Sequence, residues 1–247
     1  MPRFFVRGDS VADGVITVRG EDAHHIARSL RMAVGEEITV CDMQGHEYTC
    51  RISEFDEDRE VRAEILSVRH SENEPPCRIR LFQALPKGDK FDTIIQKAVE
   101  CGVSEIIPFE SERCIVKIKS DAEERKTERR RRISAEAAKQ CGRSVIPEVY
   151  PSVSYAEALN MAKGNELVLF CYEGDGTRPL GEILRGYGER VPESISIFIG
   201  SEGGFSVREA DTARESGMTM IGLGKRILRT ETASGFVLAC IACAFEL

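Results

Sequence analysis

Lys225, Arg226 and Arg229 follow directly on a glycine-opened turn within the stretch IGLGKRILRTETASG, residues 221–235, a spacing that gathers three cations at the mouth of one loop. Cations held in that way pair with an anion or stabilise negative charge as it develops on a reacting group. Ile227 and Leu228, set between them, supply an apolar side suited to a flat ring. The short apolar run 218–221 reads as a strand, Gly222 and Gly224 let the backbone turn, and Thr230 is expected to cap a helix that runs to the C-terminus. A loop of this build recognises a ligand mainly with main-chain groups.

SISIFIGSEGGFS, upstream, repeats the design: Ile195, Ile197 and Ile199 predict a buried strand, Gly200, Gly203 and Gly204 open the turn, and Ser206 with Glu209 has the spacing of a capping box. Neither loop is a dinucleotide fingerprint. GSEGGF is not GxGxxG, GLGKRI has isoleucine at the third glycine position, and no GxxxxGK[ST] occurs for a triphosphate. Taken alone, these residues describe a ligand-binding α/β domain whose chemistry stays open.

IGSEGGFS and GLGKRILRTETA, with the opening MPRFF and the segments HHIARSLRMAVGEEI and KAVECGVSEIIPF, closely resemble the RsmE-type ribosomal RNA (uracil-N3) methyltransferases of the SPOUT superfamily, over essentially the whole chain. One departure is Ser201, where the family usually has proline; its loss removes a fixed φ and predicts a softer turn. The resemblance implies a C-terminal parallel α/β sheet with a trefoil knot, preceded by a small PUA-like RNA-binding β-barrel, with S-adenosylmethionine held in the knot. Carried onto this chain, the cofactor loops are 171–174, 200–204 and 223–229, with Cys171, Tyr172, Glu173, Gly200, Ser201, Glu202, Gly203, Leu223, Gly224, Ile227 and Leu228 as binding candidates.

The reaction so implied is methyl transfer to N3 of a uridine in 16S, small-subunit ribosomal RNA. Loss of the N3 proton places negative charge on O2 and O4, which makes Arg229 the candidate for stabilising that anion and Glu202 a weaker candidate for proton acceptor; Glu202 serves equally as a brace for its loop. N3 lies on the Watson–Crick edge, so the base must be unpaired or extruded. Arg3, Arg28, Arg31, Lys87, Arg113, Lys139, Gln140 and Arg143 are the family-like positions for gripping RNA. Two other readings compete: a related enzyme acting on a ribose 2′-hydroxyl, and a non-catalytic RNA-binding assembly factor. The partners implied are ribosomal RNA or the assembling small subunit, and a second copy of the chain.

The elements that must carry these loops follow from patterning. Up to about residue 72, FFV, VITV, EITVCD, EYTCRISEF and REVRAEILSV are strand-like runs, with Gln44 and Gly45 turning one hairpin. A helix over residues 22–31 is expected to share one face among His24, His25, Arg28 and Arg31, the histidines forming a structural pair. Asn73, Glu74, Pro75 and Pro76 make a stiff break, dividing the chain into 1–72 and 73–247. Strands and helices alternate beyond it, as a parallel sheet covered on both faces requires. The last helix is apolar nearly all round, with Gly235, Ala239 and Cys243 four apart, a row that permits close helix contact; the resemblance assigns it to a homodimer.

Composition sets the outer limits. A hydrophobic share of 42% over 247 residues allows a sizeable core, while no apolar run approaches the roughly 20 residues of a membrane span. MPRFFVRGDS lacks the apolar middle of a signal peptide, so a cytosolic protein is expected. Nine irregularly spaced cysteines suit reduced thiols, Cys240 and Cys243 included, and no ligand cluster predicts a metal. Net charge is −7, yet residues 117–132 hold eight basic side chains against four acidic ones, from Lys117 and Lys119 to Arg132. Distribution matters more than the sum: a charged helix face is either solvated or a local RNA footprint.

Overall fold

The computed structural model describes residues 1–6, 10–56, 60–118 and 120–247. Lys119 and the first residue of REVRAEILSV, Arg59, lie outside them. The chain separates into two compact units, 1–74 with 138–146, and 75–137 with 147–247.

The first unit contains β1 (Arg3–Phe5), β2 (Val11–Ala12), β3 (Val15–Val18), α1 (Gly20–His24), β4 (Glu37–Cys41), β5 (His46–Phe55) and β6 (Val61–His70). They form one sheet in the order β1-β4-β5-β6-β3-β2, antiparallel except where β1 runs parallel to β4. Inward residues alternate along the strands, so Phe4, Ile16, Val18, Ile38, Val40, Ile52, Val61 and Ala63 meet Ala23 and Ile26 in one cluster. Among the described residues β1 and β2 do not pair with each other, so the sheet encloses its core without closing its hydrogen-bond ladder. The β4–β5 turn passes through Gly45, whose φ of +89° and close approach to His70 exclude a β-carbon.

The helix expected over 22–31 is shorter and differently wound. After α1 the backbone makes a single π turn, His25–Ser29, and Arg31 lies beyond it in the left-handed region at φ +53°. A π turn shifts the angular spacing of side chains, so the four residues do not share one helical face.

Segment 138–146 belongs to the first unit because of polar ties. Glu74 accepts from the Arg143 guanidinium at 2.5 Å and from the main-chain N–H groups of Ser144 and Val145, while Asn73 donates to the carbonyl of Gly142. Lys139 pairs with Asp22 at 2.7 Å.

The second unit runs β7 (Arg78–Ala84), α2 (Lys90–Glu100), β8 (Glu105–Glu110), α3 (Ser120–Cys141, its last turn counted with the first unit), β9 (Glu148–Val149), β10 (Val153–Ser154), α4 (Tyr155–Ala162), β11 (Leu167–Cys171), β12 (Arg178–Pro179), α5 (Leu180–Arg185), β13 (Ser194–Ile199), α6 (Val207–Glu215), β14 (Thr219–Gly222) and α7 (Thr230–Phe245). All its strand pairs are parallel, in the order β10-β8-β7-β13-β11-β14-β12, with β9 on β8. Register aligns Ile107, Phe82, Phe198, Phe170 and Met220 in one rung across five strands. That rung faces α4 and α6, and Phe82 stacks on Phe198 with centroids 4.4 Å apart. Each buried phenylalanine contributes about 1.5–3 kcal/mol of transfer free energy. On the opposite side α7 packs against α2, α5 and β13.

Glu47 anchors the first unit's hairpin. Its side chain is 3% exposed and accepts from Arg3 and Arg69, each at 2.8 Å, and from Ser71. Burial alone would raise its pKa, but the hydrogen bonds from Arg3 and Arg69 outweigh it and hold the carboxyl below the usual carboxylate range. A depressed folded-state pKa gives stability that is present above the ordinary glutamate value and is lost as pH falls through the folded value. Glu47→Gln is therefore expected to lower stability at neutral pH by about 1.5–3 kcal/mol, the worth of hydrogen bonds to a charged group. Urea unfolding followed at several pH values checks this: the gap from wild type closes below about pH 4.

Candidate functional site

Strands β13, β11 and β14 are adjacent and parallel, so the segments leaving their carboxyl ends emerge side by side. In an open parallel sheet that edge is where ligands bind. Segments 171–174, 199–205 and 222–230 there enclose a cleft of about 900 Å³, closed by Lys90, Arg113, Thr177 and Ala233. The cleft brings together Cys171, Tyr172, Glu173, Gly200, Ser201, Glu202, Gly203, Leu223, Gly224, Ile227, Leu228 and Arg229.

Local geometry explains the glycines. A β-carbon on Gly200 would stand 3.1 Å from the backbone of Gly204, where the turn folds back on itself through the Gly204 N–H to Ser201 carbonyl bond of 2.9 Å. Gly224 adopts φ +104°, a conformation that L side chains rarely reach. Beneath the 200–204 turn, Phe205 packs on Phe170 with ring centroids 4.2 Å apart, and the Ser206–Glu209 capping box starts α6. Glu209 also accepts from the main-chain N–H of Glu112, tying segment 111–114 to the same helix start.

Thr230 does not cap α7. Arg229 occupies the N-cap without a side-chain cap bond, and Thr230 is the first helical residue. Its hydroxyl donates to the Gly200 carbonyl at 2.7 Å and accepts from the amide of fully buried Gln83 at 2.9 Å. One hydroxyl thus joins the ends of β7 and β13 to the start of the last helix. The expectation failed because the helix starts one residue earlier than the spacing suggests, with Arg229 at the N-cap, and the Thr230 hydroxyl is taken up by Gly200 and Gln83.

Ile227 is 84% exposed at the cleft and Arg229 is exposed beside it. The guanidinium of Arg229 makes no hydrogen bond or ion pair among the described residues. Glu202 is differently placed. Its Oε1 accepts from Lys90 Nζ at 2.9 Å and from the Lys87 N–H at 3.1 Å. Partial burial would raise this carboxyl, but Lys90 and main-chain donors outweigh it and hold it below the usual carboxylate range. A carboxylate so stabilised is a poor proton acceptor.

Lys90 was not singled out from sequence. It begins α2, where a cation opposes the helix dipole, and a charge against the dipole is the signal that marks it. Its hydrogen bond with Glu202, with Glu231 adding charge, raises its pKa.

The cations proposed for RNA divide into two kinds. In the first unit Arg3 is engaged by Glu47 and by the Arg143 carbonyl, Lys139 by Asp22, and Arg143, 5% exposed, by Glu74. These three hold the unit's own structure together. Arg28, Arg31 and Gln140 are exposed, and no described residue pairs with Arg28 or Arg31. In the second unit Lys87 is exposed and Arg113 donates to the Gly203 carbonyl at 3.0 Å, facing the cleft. Most of the basic run on α3 is internally paired: Arg129 with Asp92, Arg130 with Glu123, Arg131 with Glu148 and Arg132 with Glu128.

Comparison with known proteins gives this cleft a setting. An RNA methyltransferase domain matches residues 73–242, and an RNA methyltransferase PUA domain matches 18–66. Ribosomal RNA small subunit methyltransferase E of Bacillus subtilis is 32% identical over 94% of this chain and 91% of its own length. The chain belongs to the ribosomal RNA small subunit methyltransferase E family. Another member, from Aquifex aeolicus, is 33% identical over 89% of this chain and 90% of its own. The crystal structure of a family member from Neisseria gonorrhoeae bound to S-adenosyl methionine is 32% identical, covers 99% of this chain and 98% of its own, and superposes with a TM-score of 0.85. The family is thus shared across both units, with the cleft inside the methyltransferase domain. No helix among the described residues is long and apolar enough to cross a membrane.

Proposed function

We propose that this chain methylates N3 of a uridine in small-subunit ribosomal RNA, using S-adenosylmethionine held in the cleft of the second unit. The observation that carries the reading is the convergence of three glycine-turned segments from adjacent parallel strands on one cavity beside an unpaired arginine.

The residues present fit such a cofactor. Ile227 and Leu228 offer an apolar face for its adenine, and the turns at 171–174, 200–204 and 222–224 offer main-chain donors and acceptors. Ser201, on the cleft wall, has a buried hydroxyl with no protein partner, a polar group left for a ligand or water to satisfy. A trefoil knot through these loops is part of the proposal. When bound, S-adenosylmethionine supplies an electrophilic methyl group, so the chain's own task is alignment and management of charge.

Arg229 lies free at the cleft and is assigned to O2 or O4 of the uracil, where it favours the N3 anion. Glu202, kept ionised by Lys90, is assigned to bracing its loop, and the N3 proton passes to solvent. Arg28 and Arg31 on the first unit and Lys87 and Arg113 on the second are the cations left for phosphates, in keeping with the PUA match. The reaction is placed in the cytoplasm with its ribosomal RNA or assembling subunit.

Association of two copies is proposed through α7. Thr230, Ala233, Ser234, Val237, Leu238 and Ile241 of that helix are buried, whereas Phe236, Ala239 and Cys243 face outward. Sedimentation equilibrium should show a dimer, and Ala239→Arg a monomer.

The reading is tested by mass mapping of ribosomal RNA from a deletion strain, which should lack one 3-methyluridine that plasmid-borne protein restores. A lost 2′-O-methyl group instead identifies the ribose enzyme, and no lost modification together with no binding of S-adenosylmethionine identifies an assembly factor. Arg229→Ala should reduce kcat roughly 10²–10³-fold, as removal of an anion-stabilising donor does, with cofactor affinity retained. Charge reversal at Arg28 or Arg31 should weaken RNA binding and lower its salt slope by about one, leaving cofactor titrations unchanged. Equal loss of both would make those arginines structural.

A further inference from the structure

Lys90 has two carboxylates and no other hydrogen-bond or ion-pair partner among the described residues. Its Nζ donates to Glu202 Oε1 at 2.9 Å, and Glu231 Oε2, a buried oxygen with no hydrogen bond, lies 3.7 Å from the same nitrogen. Glu202 stands in the 200–204 turn and Glu231 in the first turn of α7, so one ammonium ties together two of the three cleft-forming segments. Arg229 is two residues before Glu231 and shares the cleft with Glu202 and Lys90, yet its guanidinium is paired with neither acid. Arginine forks onto carboxylates more readily than lysine does. Lys90 is the cation nearest both acids, so a guanidinium two residues from Glu231 must compete with it for them.

We infer that Lys90 is a positioning residue that occupies Glu202 and Glu231 and thereby keeps Arg229 free for the substrate. This rests on the functional reading above, for it concerns the arginine that the reading uses. Without the ammonium, the guanidinium swings onto one of the carboxylates and is no longer free for the substrate. The turns persist, because neither the Thr230 hydroxyl bond to the Gly200 carbonyl nor the main-chain Gly204–Ser201 bond involves Lys90.

The test compares Lys90→Met, Lys90→Arg and the triple variant Lys90→Met/Glu202→Gln/Glu231→Gln with wild type. Glutamine keeps an acceptor for the Lys87 N–H but carries no charge to draw an arginine. Lys90→Met should lose at least tenfold in kcat with the dissociation constant for S-adenosylmethionine, measured by calorimetry on RNA-free protein, within threefold of wild type. In that same RNA-free protein, modification of Arg229 by phenylglyoxal, mapped by peptide mass, should slow severalfold. Lys90→Arg and the triple variant should both recover most of kcat and of the phenylglyoxal rate. Unchanged Arg229 reactivity in Lys90→Met, or a triple variant no better than the single one, overturns the inference. Wild-type protein that neither binds S-adenosylmethionine nor methylates RNA overturns the functional reading instead, and the phenylglyoxal comparison still decides whether Lys90 keeps Arg229 free.

Discussion

Everything at the candidate site depends on three neighbouring strands running in the same direction. Because β13, β11 and β14 are parallel and in register, their following segments leave the sheet at one edge, although they are separated by 20 or more residues in the chain. The rung of Ile107, Phe82, Phe198, Phe170 and Met220 holds that register, since a slip of one residue would send each apolar side chain to the other face. Glycine then becomes necessary at the turns, where backbone closes on backbone, as between Gly200 and Gly204.

Charge is arranged on that frame in two tiers. Arginines and lysines that hold the protein together meet buried or half-buried carboxylates: Arg3 with Glu47, Arg143 with Glu74, Arg130 with Glu123. Cations left without such partners, among them Arg229, Lys225 and Arg226 at the cleft, Lys87 near it, and Arg28 and Arg31 on the first unit, are available to an outside anion. The sum of charges in the chain is negative, so this separation into consumed and free cations, rather than overall charge, makes RNA a reasonable partner. Lys90 belongs to both tiers, being paired itself while standing at the cleft.

Periodicity carried much of the architecture. Alternating Ile195, Ile197 and Ile199 identified a buried strand, Gly224 marked the turn after β14, and Ser206 with Glu209 marked the start of α6. Each of those signals is local, set by side-chain spacing or by a φ that one residue type tolerates. The π turn at His25–Ser29 escaped because sequence spacing presumes the ordinary helical repeat. Thr230 was misjudged for a different reason: its partner is a carbonyl 30 residues away.

By itself the amino-acid sequence determined the main strands and the glycine turns of the two motifs, and through those motifs it determined the family. Those properties reside in short stretches of chain, where propensity and spacing act directly. Only the tertiary structure decided which cations are free, that Lys90 stands between Glu202 and Glu231, and that Glu74 claims Arg143, because a salt bridge depends on distance in space between residues that the sequence leaves far apart.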